Sequence, residues 1–275
     1  MAAGDVITIQ EDNIARKGVY FDGTDDYTLV DAHAVARVAA NDTVGTYSAW
    51  IYLGESPSGN VNILSAGDNN SATEYLSWYI NSARLLYFKV QQGGGERWKI
   101  HSTSDTVPVR TWTHVTIVQN GTSPQLYING NLVSKTVDSS TDITDWYDEL
   151  TGCDKFAIGV LESNNTHTQD FTGAIGQVKY WNKALTDAEV LADYKGEALS
   201  DDGTYLQLNL TMEDDGITDS GLGADNGTLT GHAHYGGYIS SRSMALERNC
   251  TGHAAEFIYS FQDGDKQSTI IKRGD

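Results

Sequence analysis

Two clusters of acidic side chains are the residues in this chain best suited to hydrolytic chemistry. One surrounds Trp146 and the other occupies residues 213–215; the members are Asp142, Asp145, Asp148, Glu149, Glu213, Asp214 and Asp215. A retaining glycosidase needs two carboxyl groups about 5 Å apart, one as nucleophile and one as acid and base. Both clusters lie in turn-like surroundings near glycine, where solvated acidic side chains are typical. The sequence therefore predicts no catalytic residue in either cluster.

The other sequence patterns that carry catalysis are absent from the chain. It has no Gly-x-Ser-x-Gly elbow, no His-Glu-x-x-His zinc motif, no P-loop and no Gly-x-Gly-x-x-Gly before a helix. Cys153 and Cys250 are too few for a disulfide framework. We expect two unpaired buried thiols, with one long-range bridge as the alternative. We therefore predict that the protein is not an enzyme.

Tryptophans beside loop amides are the side chains best suited to binding a sugar, because a ring stacks on the sugar while amides bond its hydroxyls. Trp98 follows the glycine-rich stretch Gly93–Gly95, which we expect to be a flexible loop, and Trp146 lies in the acidic loop. The candidate loop partners are Asn69, Asn70, Asn164 and Asn165. The alternative is that each tryptophan lies at least partly in the core.

Short strands separated by polar turns are predicted along most of the chain, and they must position these side chains. Tyr47–Leu53 alternates between its two faces, as a strand does. Asn129–Gly130 predicts a type I′ hairpin, because both residues tolerate a positive φ. One helix is predicted after Thr186, with Glu189 at capping-box spacing and Gly196 as a left-handed stop. The pattern favours an all-β sandwich or barrel.

The acidic excess of the chain excludes some partners. Its 275 residues include 37 acidic and 18 basic side chains, for a formal net charge of −19. Nucleic acids and anionic membranes attract clustered Lys and Arg, so we expect neither as a partner. No apolar run is long enough to insert into a membrane, and residues 1–10 lack the features of a secretory signal. We expect the chain to be used in the cytoplasm or to leave inside an assembled particle.

Six segments occur in an order that is typical of one family. They are Tyr20–Tyr27, Tyr47–Ile51, Trp112–Val115, Leu126–Gly130, Phe171–Asn182 and Ala184–Val190. In this order they resemble the laminin-G-like branch of the concanavalin A-like lectin/glucanase superfamily. The resemblance implies an antiparallel two-sheet jelly-roll sandwich with one short helix. We expect this domain at residues 18–235, an N-terminal arm at 1–17, and a C-terminal extension at 236–275 that supplies docking strands or an assembly contact.

The resemblance also implies a calcium site. Laminin-G-like domains often hold one Ca²⁺ at the sandwich rim through a carboxylate after the glycine-rich turn and an Asn after a late strand. The matching positions here are Glu96, where the family usually has Asp, and Asn182. The alternative for Asn182 is a polar residue that opens the turn before the helix. Superfamily glucanases carry Glu-x-Asp-x-x-Glu on a strand, which this sequence lacks, and the resemblance implies a structural role for His114.

A second acidic turn contains Asp22, Asp25 and Asp26. Aspartates in such a turn often bond the backbone two residues further on, so an Asx-turn is the preferred interpretation. Metal binding by the three carboxylates is the alternative, since Ca²⁺ prefers oxygen ligands.

Two functions from different classes fit these observations. The first is a non-catalytic, lectin-like structural or binding module of a tailed-bacteriophage virion, as head decoration or fibre. Its partners would be other virion proteins, copies of itself or a host glycan; the placement is an analogy from fold and from the missing export signal. The alternative is a calcium-dependent carbohydrate-binding domain of a secreted or cell-surface, hence extracellular, protein. A divergent glycan hydrolase or lyase is a third possibility.

Overall fold

A computed structural model describes residues 18–213, 216–231, 234–236, 257–263 and 266–272. The chain divides into two units, of which Gly18–Gly236 is the larger. Met1–Lys17 and Gly237–Asp275 make up the other. Each unit is described by itself, and the expected arm at residues 1–17 lies outside the described residues.

One layer of the larger unit is an antiparallel sheet of nine strands. They are β1 (Gly18–Asp22), β3 (Gly45–Leu53), β8 (Trp112–Gln119), β9 (Gln125–Ile128), β10 (Asn131–Leu132), β15 (Thr172–Trp181), β16 (Leu206–Glu213), β17 (Gly216–Asp219) and β19 (His234–Gly236). The order is β10-β9-β8-β3-β15-β1-β19, and β16 pairs with both β15 and β17. Tyr47, Ala49 and Ile51 on β3 point inward and are fully buried, as the alternation predicts.

The other layer is a sheet of eight strands. They are β2 (Tyr27–Leu29), β4 (Val61–Asp68), β5 (Ser71–Ile80), β6 (Leu85–Gln92), β7 (Gly95–Thr106), β11 (Lys135–Ser140), β12 (Lys155–Ile158) and β18 (Thr228–Thr230). Their order is β11-β7-β6-β5-β4-β12-β2-β18. Leu76, Trp78 and Ile80 on β5 are fully buried, whereas Tyr75 lies on the opposite face and is partly exposed.

The two sheets share one core, which confirms the antiparallel two-sheet sandwich. The core contains stacked aromatic rings, with the centroids of Phe88 and Trp98 5.3 Å apart and those of Phe88 and Trp146 also 5.3 Å apart. The chain changes sheets between β1 and β2, so the acidic turn of residues 22–26 lies at an edge of the sandwich. Burial of this apolar and aromatic surface is the main force that holds the layers together.

Two further hairpins lie outside the large sheets. In the larger unit, β13 (Leu161–Ser163) pairs with β14 (Thr166–Thr168), and this hairpin packs against β4. In the smaller unit, β20 (Phe257–Asp263) pairs with β21 (Lys266–Lys272).

Three helices are described, two more than the sequence predicts. The expected helix, α2 (Asp187–Tyr194), has the predicted capping box between Thr186 and Glu189. The additional helices are α1 (Asp31–Ala40) and the single turn α3 (Asp202–Tyr205). The pattern of α1 is hard to recognise because its buried face carries polar residues, including His33 and Arg37.

Tertiary hydrogen bonds hold the polar buried face of α1 in place. His33 Nε2 lies 2.8 Å from the Tyr47 hydroxyl, and Arg37 pairs with Asp42 at 3.2 Å. Burial lowers the pKa of His33, and the nearby charge of Arg37 lowers it further.

The predicted turns can be compared directly with the backbone. Asn129 and Gly130 have φ of 50° and 74°, which confirms the type I′ hairpin. Gly93 and Gly94 form the turn between β6 and β7, with φ of 58° and 83°, and the flexibility of Gly93–Gly95 stays a prediction. In the described part of the chain, no helix has both the length and the apolar composition to cross a membrane.

Candidate functional site

The face of the eight-stranded sheet that points away from the core carries aromatic and polar side chains in rows. Residues paired directly across antiparallel strands point to the same face, so the strand register defines each row. One row, which we call the tyrosine row, consists of Asn62, Tyr79, Tyr87, His101 and Thr136. The next, which we call the lysine row, consists of Ser65, Ser77, Lys89, Lys99 and Ser139. The two rows together form what we call the outer face.

The rings of the tyrosine row stand side by side. The centroids of Tyr79 and Tyr87 are 4.9 Å apart with an interplanar angle of 13°, and those of Tyr87 and His101 are 4.6 Å apart at 18°. His101 Nδ1 lies 2.9 Å from Oδ2 of Asp138, which fixes the orientation of the imidazole. Stacking of neighbouring rings leaves their polar edges, rather than their flat faces, available to a bound molecule.

In the lysine row, Lys89 and Lys99 lie on neighbouring strands with their ammonium groups on the same face. Glu96 separates them: its carboxylate lies 3.6 Å from Lys89 Nζ and 3.3 Å from Lys99 Nζ, and it accepts a hydrogen bond from Ser139. Burial raises the pKa of Glu96, but the Ser139 hydrogen bond and the two lysines outweigh this effect and lower the pKa overall. This row therefore holds two positive charges and one negative charge.

A hydrogen-bonded chain extends from the lysine row towards the N-terminal half of β5. Lys89 donates to the Tyr75 hydroxyl at 2.9 Å, and that hydroxyl donates to Gln91 Oε1 at 3.0 Å. A β-bulge where Gln91 pairs with Glu96 turns the glutamate towards the lysines. These side chains form a network of donors and acceptors on a rigid sheet.

The β13–β14 hairpin covers the β4 side of the outer face. Asn62 donates to Gln169 Oε1 at 2.9 Å and accepts from Ser77 at 2.6 Å, and Ser65 donates to the Val160 carbonyl at 2.9 Å. Ser77 and Tyr79 are therefore buried.

The open part of the outer face lies on β6 and β7. Its partly exposed side chains are Tyr87, Lys89, Lys99 and His101. Burial raises the pKa of Tyr79, and the neighbouring Tyr87, Glu96 and Asp138 raise it further.

The prediction that Trp98 and Trp146 form sugar platforms is wrong. Both side chains are 0% exposed, so neither ring is available to a ligand. Trp98 donates from Nε1 to the Asp145 carbonyl at 2.8 Å, and Trp146 donates to the Tyr180 hydroxyl at 3.2 Å. The alternative interpretation, that the two rings belong to the core, is the correct one.

The four predicted loop asparagines lie in two turns that the structure brings together. Asn69 and Asn70 lie in the β4–β5 turn, and Asn164 and Asn165 form the β13–β14 turn with φ of 52° and 53°. The backbone N–H of Asn164 donates to the backbone carbonyl of Asp68 at 2.8 Å, and this hydrogen bond joins the two turns. Their role in ligand binding stays a prediction.

The two predicted calcium ligands lie in different layers. Glu96 belongs to β7 of the eight-stranded sheet, whereas Asn182 follows β15 of the nine-stranded sheet. The Glu96 carboxylate is already bonded to Ser139 and two lysines, an arrangement that competes with a cation. The backbone N–H of Asn182 donates to the Tyr205 carbonyl at 3.1 Å, and its Oδ1 is buried without a hydrogen-bond partner among the described residues. The structure therefore does not bring Glu96 and Asn182 together.

The acidic loop around Trp146 has a structural role. Asp145 is buried and pairs with Arg97, and Asp142 accepts hydrogen bonds from the Thr144 backbone and hydroxyl. The side chains of the other cluster, at residues 213–215, lie outside the described residues. Cys153 is a free, buried thiol, and Cys250 also lies outside the described part.

Sequence reasoning missed the tyrosine and lysine rows. The signal was present: Tyr75, Ser77 and Tyr79 alternate with apolar residues, and so do Tyr87 and Lys89 on the next predicted strand. Pairing these two strands would have placed the polar positions on one face. On the third strand, Lys99 and His101 alternate with buried residues in the same way, and only the position of Glu96 depends on the β-bulge, which the sequence does not reveal.

The two-sheet antiparallel sandwich agrees with the family that the comparisons identify. A family model described as the concanavalin A-like lectin/glucanases superfamily matches residues 22–191. The chain belongs to this superfamily. No curated protein sequence matches the chain.

Solved structures of a carbohydrate-binding module, of a candidate carbohydrate-binding protein and of a sialidase share the fold. The CBM40 of the Ruminococcus gnavus IT-sialidase, bound to α2,3-sialyllactose, has a TM-score of 0.51 and 16% identity, covering 65% of this chain and 93% of that chain. A candidate carbohydrate-binding protein of Bacteroides ovatus has a TM-score of 0.52 and 17% identity, covering 82% and 61%. The NanB sialidase of Streptococcus pneumoniae has a TM-score of 0.51 and 15% identity, covering 64% and 27%. At these identities the likeness establishes the fold alone.

Proposed function

We propose that the protein is a non-catalytic carbohydrate-binding module and that the outer face binds the glycan. The observation that carries the proposal is the open part of the two rows, where Tyr87, Lys89, Lys99 and His101 offer polar groups on one rigid sheet. Sugar hydroxyls both donate and accept hydrogen bonds, so a surface with prearranged partners binds them without costly ordering. The carbohydrate-binding neighbours of the same fold support this function.

The charges of the outer face favour a glycan that bears a carboxylate. Lys89 and Lys99 face each other, and within the lysine row Glu96 offsets only one of their two charges, while the other carboxylate of this face, Asp138, is hydrogen-bonded to His101. A bound carboxylate would offset the second charge through a charge-assisted hydrogen bond, which is stronger than a neutral one. Sialylated glycans have this chemistry, and one neighbour is bound to sialyllactose.

The test is calorimetric titration of the full chain with 3′-sialyllactose and with lactose as the neutral sugar. We expect sialyllactose to bind more tightly, and Lys89→Ala or Tyr87→Ala to weaken it by about tenfold, because each removes roughly one hydrogen bond. Lys195→Ala is the matched control, since this exposed lysine lies beyond α2.

Each arm of this titration can fail separately. Equal affinity for both sugars would overturn the carboxylate preference. Unchanged binding in both outer-face variants would overturn the location, and no binding in a screen of diverse glycans would overturn the function.

The virion setting and the calcium requirement remain proposals of their own. The supporting observation for assembly is that residues 237–275 belong to a separate unit, while the five basic and five acidic side chains of 236–275 balance. A charge-balanced extension suits contact with virion proteins or with copies of the chain, because it adds no repulsion. The alternative setting is a secreted or cell-surface protein with the same glycan-binding face.

A further inference from the structure

The acidic turn between β1 and β2 brings three carboxylates together. One oxygen from each of Asp22, Asp25 and Asp26 lies within 4.8 Å of the others. The turn connects the two sheets, and Asp22 pairs with Thr172 at the start of β15. The cluster is therefore held by strands of both layers.

Part of this arrangement is the expected Asx-turn. Asp22 Oδ1 accepts from the Thr24 backbone at 2.8 Å, and Asp26 Oδ2 accepts from the Asp22 backbone at 2.9 Å. These bonds account for the shape of the turn. They leave the other oxygen of Asp26 unexplained.

Asp26 is 1% exposed, and its Oδ1 is buried without a hydrogen-bond partner among the described residues. A buried carboxylate oxygen without a partner is costly, because it has lost its water. A Cβ placed on Gly231 would lie 2.6 Å from this oxygen and 2.4 Å from the Asp25 carbonyl oxygen, so the Gly231 backbone packs closely against both oxygens without donating a hydrogen bond to the carboxylate. This orphaned oxygen points to a ligand that the turn itself does not supply.

The three carboxylates concentrate negative charge in one short turn. The proximity of these carboxylates favours an arriving cation, because like charges repel one another unless a positive charge lies among them.

We propose that Asp22, Asp25 and Asp26 bind a divalent cation, with Ca²⁺ as the preferred ion. Ca²⁺ takes six to eight oxygen ligands in flexible geometry, so three carboxylates, a carbonyl and waters suit it. Mg²⁺ demands near-ideal octahedral geometry and gives up its waters reluctantly, so it fits a turn of this kind less well. The site is independent of the outer face and of Glu96 and Asn182. The ion would join β1, β2 and β15 and stabilise that edge of the sandwich.

The experiment is titration of the chelator-treated full chain with CaCl2, followed by calorimetry and by the unfolding temperature. We expect Ca²⁺ to bind and to raise the unfolding temperature, and MgCl2 to have a smaller effect. Asp25→Asn is an exposed change and should weaken Ca²⁺ binding at least tenfold. Glu96→Gln and Asp105→Asn, which lie away from the turn, should bind Ca²⁺ as the unaltered chain does.

Asp26→Asn separates metal binding from a merely structural role. We expect this variant to lose Ca²⁺ binding while its unfolding temperature in chelator stays equal to or above that of the unaltered chain, because the orphaned charge is gone. A large drop in chelator would indicate that the carboxylate is structural and would count against the site. If the unaltered chain does not bind Ca²⁺, the proposal is wrong. It is also wrong if Glu96→Gln loses Ca²⁺ binding while Asp25→Asn retains it.

Discussion

At the scale of single residues, Gly173 shows how closely the backbone of this sandwich is packed. Its φ is +138°, and a Cβ at this position would lie 2.0 Å from the Tyr52 carbonyl oxygen and 2.7 Å from the Gly54 nitrogen. Both contacts are with backbone atoms, one at the end of the neighbouring strand β3 and one just beyond it. Backbone atoms cannot move aside as a flexible side chain can. Glycine is therefore required here for its backbone conformation and for its size.

We predict that Gly173→Ala lowers the free energy of unfolding by roughly 3 kcal/mol, because strain and a backbone clash combine. Urea denaturation of both proteins measures the difference. Gly203→Ala is the matched control: this exposed glycine has nothing within 4 Å of its added Cβ, so its change should stay within about 0.5 kcal/mol. Equal stability of the two variants would contradict the prediction.

At the scale of elements, a buried charged group attaches α2 to the nine-stranded sheet. Asp193 Oδ2 lies 3.1 Å from His114 Nε2 on β8, and its Oδ1 accepts from Lys179 Nζ on β15 at 2.7 Å. Burial raises the pKa of Asp193, but His114 and Lys179 outweigh it and hold the pKa well below its usual range. His114 is 2% exposed, which fits the structural role implied for it.

We predict that Asp193→Asn destabilises the protein by about 3 kcal/mol, since it leaves Lys179 without its counter-charge and His114 without its carboxylate partner. The folded-state pKa of Asp193 lies below its unfolded value, so this contribution is present above about pH 4 and is lost as the pH falls further. Urea denaturation between pH 3 and pH 7 should therefore show a weaker acid dependence in Asp193→Asn. Glu197→Gln, an exposed change just beyond α2, should retain the acid dependence of the unaltered chain. An identical pH profile in Asp193→Asn would refute the assignment.

At the scale of the whole molecule, charge is distributed unevenly along the chain. The formal net charge of −19 lies within the first 235 residues, while residues 236–275 are balanced. An acidic body keeps copies apart in solution, because like charges repel. Contact between copies would therefore use the balanced segment.

If the chain assembles through residues 236–275, its sedimentation coefficient should rise with protein concentration and reach a defined limit, because closed symmetric oligomers are the usual product. Analytical ultracentrifugation of the full chain at two salt concentrations measures this. High salt should favour the oligomer by screening the acidic bodies. A monomer at every concentration and salt would remove the support for assembly, and it would leave the glycan-binding proposal untouched.

Local and periodic features of this protein follow from the sequence alone. The alternation of Tyr47–Leu53 identifies a strand, the Asn129–Gly130 pair identifies a hairpin, and the spacing of Thr186 and Glu189 identifies the capped helix α2. Each depends on neighbours within a few residues, so the signal is complete in the chain.

Only the tertiary structure decides which distant residues meet. It buries Trp98 and Trp146 in the core and pairs β6 with β7 so that Lys89 and Lys99 share an open face. It also stabilises α1 through contacts of a polar buried face, which periodicity does not reveal. These outcomes depend on strand register, a β-bulge and long-range packing, because a shift of one residue would exchange the inner and outer faces of a strand.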